Sequence, residues 1–231
     1  MKCLDKARSK INFCWNLTRI SIIFIFIVIM FLMSGCFTGE KEAELEKIWP
    51  LEEGNEWDYK VEGGGEEKLS ILVHSVEEDE ELGKTYQVEF DFGSYQTYEH
   101  YSYDEEGLVW FQMSNPWGTY NRVPPEYLIK DPPGEAKSWE WEGELETISG
   151  RDLHYKGEGQ IDQKGFMELE LPDGSYNALK IEKNLTLEMD GETVELQDVR
   201  YYVAEIGLVK QEVYENGYEQ LNIIIDDHEL N

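Results

Sequence analysis

The side chains of this 231-residue chain best able to do chemistry are its four histidines, three cysteines and 49 carboxylates. His74, His100, His154 and His228 share no helical i, i+4 spacing and no cysteine partner. A zinc site would have to be assembled from distant strands, and solvated strand histidines are the simpler reading. Asp226-Asp227-His228 reads as a charged tail. Carboxylates are so abundant that a pair spaced for glycoside hydrolysis arises by chance, so none is singled out. Glu77-Glu78-Asp79-Glu80-Glu81 offers hard oxygen ligands but lacks the alternation of a dedicated calcium loop. Asn184-Leu185-Thr186 is a glycosylation tripeptide that matters only where the cell has that machinery. No Gly-x-Ser-x-Gly elbow, phosphate loop or dinucleotide fingerprint occurs, and Gly63-Gly64-Gly65 reads as a hairpin turn. The sequence assigns no catalytic residue, no metal and no cofactor.

Aromatic residues give a different lead. Trp57, Tyr59, Trp110, Trp117, Trp139 and Trp141 stand at strand starts or in a proline-rich stretch. Buried, they build the core of a curled sheet. Lining an open mouth, Trp110, Trp117, Trp139 and Trp141 form a platform for a lipid chain, a sugar or an apolar peptide.

The three cysteines are Cys3, Cys14 and Cys36. Lys2, Lys6, Arg8, Lys10 and Arg19 precede an uncharged run, Ile20 to Met33, with Asp5 the only acid before it. Fourteen helical residues reach only ~21 Å, short of a ~30 Å hydrocarbon core. Basic flank, short apolar run and small-residue exit fit a secretory signal. Leu32-Met33-Ser34-Gly35-Cys36 resembles the lipobox of prokaryotic lipoproteins, except that Met33 stands where Leu is usual. The resemblance implies cleavage after Gly35 and a diacylglyceryl thioether on Cys36, the thiol being the nucleophilic group. An uncleaved signal anchor is the alternative. Either way the remainder lies outside the cytoplasm. A mature chain would have no cysteine free to form a disulfide, so it must stabilise itself by burial.

Without the five basic residues and one acid of the leader, 15 basic and 48 acidic residues remain, a net charge of −33. That surface repels nucleic acid and anionic head groups, so no nucleic-acid partner is expected.

The elements that must position these residues follow from patterning. Residues 36–47 form a charged tether. Beyond it the period is two: Tyr86, Val88, Phe90 and Phe92 alternate with polar residues, as do Leu69-Ile71-Val73, Met167-Leu169-Leu171, Leu185-Leu187-Met189, Val199-Tyr201-Val203 and Leu221-Ile223-Ile225. Turns at Asp104–Gly107, Asp173-Gly174, Asp190-Gly191 and Asn216-Gly217 separate them. The expected fold is all-β. It is a single strongly curved antiparallel sheet, barrel or half-barrel, of ten or more strands, preceded by an N-terminal hydrophobic signal helix at 1–35. Residues 48–231 make one domain. Ser114 to Gly134 holds five of the seven prolines and reads as a crossover. It joins two related halves, about 48–113 and 131–225. Tyr101 to Val109, with its Gly107-Leu108-Val109 ending, recurs one hundred residues later as Tyr201 to Val209.

The chain resembles the prokaryotic lipoproteins labelled TapB-like. The resemblance rests on Pro50 to Tyr59, Pro133 to Trp139, Pro172 to Lys180 and Tyr201 to Lys210, and spans nearly the whole mature domain. Ala204-Glu205-Ile206 departs from the Gly-containing turn usual there. The resemblance implies a barrel or half-barrel similar to lipid and lipoprotein carriers, and no known reaction. The combined expectation is a lipoprotein anchored on the extracytoplasmic face of the cell membrane. It would be a non-catalytic binding module for an apolar ligand or an envelope protein. A structural component of the envelope and an envelope hydrolase are the alternatives.

Overall fold

The computed structural model describes residues 44–62, 68–189 and 191–231. The leader, Cys36, most of the tether, Gly63-Gly64-Gly65 and Asp190 lie outside the described residues. Among the described residues, one helical turn, α1 (Leu45–Ile48), precedes twelve strands. They are β1 (Glu56–Val61), β2 (Lys68–Asp79), β3 (Gly83–Asp91), β4 (Gln96–Tyr103), β5 (Gly107–Asn115) and β6 (Gly118–Lys130). There follow β7 (Lys137–Gly150), β8 (Tyr155–Leu171), β9 (Gly174–Met189), β10 (Glu192–Val203), β11 (Gly207–Glu215) and β12 (Tyr218–Glu229).

Each strand pairs antiparallel with the next, and β1 also pairs β12, so the sheet closes into a twelve-strand barrel rather than a half-barrel. Closure removes both sheet edges, the solution open to a long one-sided sheet with an apolar face. Period two then sorts side chains inside and out. In β2, Leu69, Ile71 and Val73 are buried; in β3, Tyr86, Val88 and Phe90; in β9, Leu179, Ile181, Leu185 and Leu187. Each such aliphatic side chain contributes roughly 1.5–3 kcal/mol by burial.

Strand direction alternates, so the turns after β2, β4, β6, β8 and β10 lie at one end of the barrel, with the entry of the chain. This entry end is plugged. Ile48, Trp49 and Leu51 are buried, and the Trp49 ring sits edge-on to Trp57 and Tyr101 (centroids 6.4 and 5.2 Å) and tilted against Tyr202 (5.8 Å). Tyr103 Oη donates to Trp49 O (2.6 Å). Trp57 Nε1 donates to Ile206 O, and Tyr59 Oη to Leu208 O at 2.7 Å, tying the first strand to the start of β11. Gly207 has φ +106°, and a Cβ there would meet Trp49 Cδ1 at 2.8 Å, so this approach requires glycine. The hairpins β4–β5 and β10–β11, which carry the Gly-Leu-Val segments, stand six strands apart in the ring, on opposite sides of Trp49.

The proline-rich stretch is not a crossover. Pro124 and Pro125 lie within β6. They fall in a wide bulge, between the pairs Gln112↔Asn121 and Trp110↔Glu126, where ladder hydrogen bonds are absent and proline is tolerated. Pairing of β6 with β7 ends at Val123↔Glu144, and beyond it the two strands part. The fork is filled from inside. Trp141 Nε1 donates to Pro124 O (3.2 Å). The buried Gln163 amide accepts from Lys130 N at 2.9 Å, and its Nε2 lies 2.9–3.2 Å from the carbonyl oxygens of Lys130, Pro132, Pro133 and Glu135.

Candidate functional site

Two features could bear function: a charged network inside the barrel and a groove on its outside. The network follows from strand phase. Lys183 occupies the same face of β9 as Ile181 and Leu185, and Asp198 and Arg200 the same face of β10 as Val194 and Tyr202, so all three point inward. Glu126 and Arg122 come from the bulged part of β6. Arg122 donates to Glu126, and its guanidinium lies over the rings of Trp110 (3.8 Å) and Trp141 (4.7 Å). Lys183 Nζ donates to the other Glu126 oxygen (2.8 Å) and stands 3.7 Å from Asp198. Arg200 holds Asp198 through two nitrogens at 2.8 and 2.9 Å, and Gln211 donates to its second oxygen (2.8 Å).

Burial alone would raise both carboxyls. For Glu126, the adjoining Lys183 and Arg122 more than offset this; for Asp198, Arg200 and Lys183 do, so both lie below the usual carboxylate range. Glu99 differs. Burial raises it, and Arg200 and the Tyr101 hydroxyl that donates to it offset this only in part. The void bounded by Glu126, Leu128, Ile161, Ile181, Lys183, Asp198 and Arg200 is about 10 Å³, room for about one water. Carboxylates so fully paired, with so little adjoining space, serve as a rigid polar core layer.

The outer groove offers ligand-sized space. One concavity of about 470 Å³ crosses β6 to β10 over Val123, Pro124, Glu142, Glu144, Lys156, Glu158, Thr186, Glu188 and Thr193. A second, about 450 Å³, shares Glu144, Lys156 and Glu188 with it and continues to Asp152, His154 and Gly191, toward the end opposite α1. Lys156 sits 4.0 Å from Glu144 amid a wall of carboxylates.

The sequence-predicted platform is divided. Trp110 and Trp141 meet inside the barrel on Arg122. Trp139 lies further along β7 with Lys130 over its ring (5.7 Å), and Trp117 is exposed on the turn between β5 and β6. The histidines do not converge. His74 is bulged out of β2 with its Nδ1 3.6 Å from Glu89, and His100 lies half-buried near Gln87 and Phe111, its pKa lowered by burial. His154 is on the turn between β7 and β8, and His228 is exposed near the end of β12. Among the described residues, no group of three or more His, Cys, Asp or Glu is arranged to hold a metal. The interior charges escaped the sequence reading, although Lys183, Asp198 and Arg200 each stand in phase with buried apolar neighbours.

One family model matches part of the chain, and two solved structures are distantly similar to it. Residues 163–221, from β8 into β12, match the DUF3108-like family. That segment includes Pro172 to Lys180 and Tyr201 to Lys210, whereas Pro50 to Tyr59 and Pro133 to Trp139 lie outside it. No curated protein matches the chain. A Bacteroides fragilis protein described as exported, with a YmcC-like fold, is similar at 12% identity and a TM-score of 0.41, over 79% of this chain and 98% of its own. A protein of Parabacteroides distasonis described as a lipoprotein is similar at 13% identity and a TM-score of 0.37, with the same coverage. None of these descriptions names a catalytic activity.

Proposed function

We propose that the chain is a lipoprotein of the TapB-like kind, held by acylated Cys36 on the extracytoplasmic face of the membrane. Its barrel is a non-catalytic binding module for an envelope protein, engaged from outside. One observation carries the binding reading. The void beside the interior charges measures about 10 Å³, while the outer concavities measure about 470 and 450 Å³. This favours a protein partner over an apolar ligand inside the barrel. Glu142, Glu144, Glu158 and Glu188 on the groove wall favour a basic, extended segment, since complementary potential speeds encounter and sets register. The groove opens toward the end of the barrel opposite α1.

Anchoring is tested by intact mass and membrane fractionation of wild type and Cys36→Ser. A wild type shortened by residues 1–35 and carrying a lipid supports it; retention of residues 1–35 in both proteins overturns it. Binding is tested by placing a photo-crosslinking residue at Thr186, with Gln96 as control, in living cells. A discrete adduct at 186, lost with Glu144→Lys and Glu188→Lys together, supports the groove. Equal labelling at both positions, or none at 186, overturns it.

A further inference from the structure

Cys36 and Glu44 are eight residues apart, a contour of at most ~29 Å. The entry end of the barrel therefore stays close to any bilayer that holds Cys36, and the side it presents there matters. Most of the outer surface is acidic and repels anionic head groups. The outer face of β8 to β12, in its half nearest the entry end, is different. Leu171, Ala178, Val199, Tyr201 and Val209 form a separate apolar cluster there, with Leu169, Tyr176, Val203, Ile206 and Ile224 partly exposed around it. Val209 joins this face through the bulge at Tyr201/Tyr202, which puts one extra residue on β11. Met167, on the β8 edge of the patch, is 43% exposed.

Lysines girdle the patch. Lys180 and Lys210 stand 5.7 and 5.8 Å from the Tyr201 ring, on either side of it. Lys60 and Lys164 extend the row. Each of the four is neutralised by a carboxylate: Lys60 by Asp226, Lys164 by Asp162 and Glu182, Lys180 by Glu182, Lys210 by Glu212. A locally neutral surface of aliphatic side chains and tyrosine, edged by lysine stems, suits the head-group zone, where amphipathic rings and long cationic side chains place polar tips in water.

We propose that this face of β8 to β12 rests on the bilayer surface; the inference rests on the Cys36 anchor. The test uses full-length Met167→Cys, expressed in cells and purified as lipoprotein, labelled with an environment-sensitive fluorophore. Acylation blocks Cys36 and cleavage removes Cys3 and Cys14, so residue 167 is the one free thiol. In protein-free vesicles of phosphatidylethanolamine and phosphatidylglycerol, emission rises several-fold, shifts to the blue and is quenched by spin-labelled lipid. A label at Gln96→Cys does none of this. Adding Tyr176→Glu and Ile224→Glu abolishes the response while the protein remains on the vesicles through its lipid. If the 167 label stays as wet as the 96 label while intact mass shows the lipid on Cys36, the membrane-contact assignment is overturned and the anchor stands. If the 167 label is buried in native membranes but not in these vesicles, a protein covers the face and the assignment is again overturned. A mass without lipid overturns the anchor and this inference with it.

Discussion

Glu126 accepts from both Arg122 and Lys183 with its side chain fully buried, so the three charges stand or fall together. Glu126→Leu leaves Arg122 without its carboxylate and Lys183 with only the more distant Asp198, and is expected to cost about 3–5 kcal/mol in urea denaturation. Adding Lys183→Met to it recovers part of that loss, since one orphaned charge is gone; strictly additive costs would show that the pair is not coupled. Glu99 answers to pH in the opposite sense from its neighbours. Its folded pKa is raised, so its contribution is complete below the unfolded carboxyl range near ~4.3 and is lost as pH rises through the folded value. Glu126 and Asp198 are lowered, so their contributions are present above that range and lost as pH falls through their folded values. Thermal stability is therefore expected to rise from pH 8 into mildly acidic solution and to fall below about pH 4. Glu99→Gln should flatten the rise, measured at high salt so that relief of surface repulsion is screened in both proteins. An unchanged slope would remove Glu99 from the account.

At the scale of elements, the parting of β6 from β7 is the barrel's irregular seam, and Gln163 is its fastening. Gln163→Ala strands the Lys130 N–H and removes the two amide hydrogens shared among the carbonyls of Lys130, Pro133 and Glu135, and is expected to cost on the order of 2–3 kcal/mol. Hydrogen exchange should quicken first at 130–137, and uniform exchange across the barrel would show that Gln163 does not hold the seam. A second element is the turn between β10 and β11. Glu205 sits there at φ 66°, the left-handed conformation that a glycine takes without strain. Glu205→Gly should therefore stabilise, by up to about 1 kcal/mol; a loss would mean that the side chain matters more than the strain. The strands themselves were legible, because Leu69-Ile71-Val73 or Tyr86-Val88-Phe90 can bury one face only in a sheet. The seam was not. Pro124 and Pro125 announce missing hydrogen bonds, and a crossover and a bulge lack the same bonds. The interior charges were hidden for a related reason: with 49 carboxylates in the chain, one in phase with buried residues does not stand out until its strand's partners are known. Trp49 stands two residues past the tether with nothing in its neighbours to mark it, and becomes the plug only once Tyr101 and Tyr202 come to opposite sides of it.

For the whole molecule, closure is the contact of longest range. Glu56 pairs with Glu229 and Val61 with Ile223, so the first and last strands meet across almost the entire domain. Nothing in either strand specifies this pairing alone; it follows from twelve strands sharing one interior whose apolar face has no other cover. Removing β12 by ending the chain at Gly217 deletes Ile223 from the core and leaves β1 and β11 with unpaired edges. Free, long edges with apolar faces pair with other chains. The truncated protein is expected to lose its near-ultraviolet circular dichroism, where Trp49, Trp57 and Tyr59 report on the plug, and to run as oligomers in size-exclusion chromatography with light scattering. Charge opposes that association, because residues 1–217 still hold 20 basic and 45 acidic residues, a net charge of −25 that repels copies of the chain, so oligomers should grow as salt is raised from 0.05 to about 1 M and the Debye length falls to ~3 Å. The intact barrel should show the reverse order of effects: it remains monomeric as salt rises and becomes more resistant to heat, since screening relieves repulsion between groups already fixed close together. A truncated chain that stays monomeric with native near-ultraviolet signal would mean that eleven strands close without the twelfth, and that pairing of β1 with β12 contributes little to the fold.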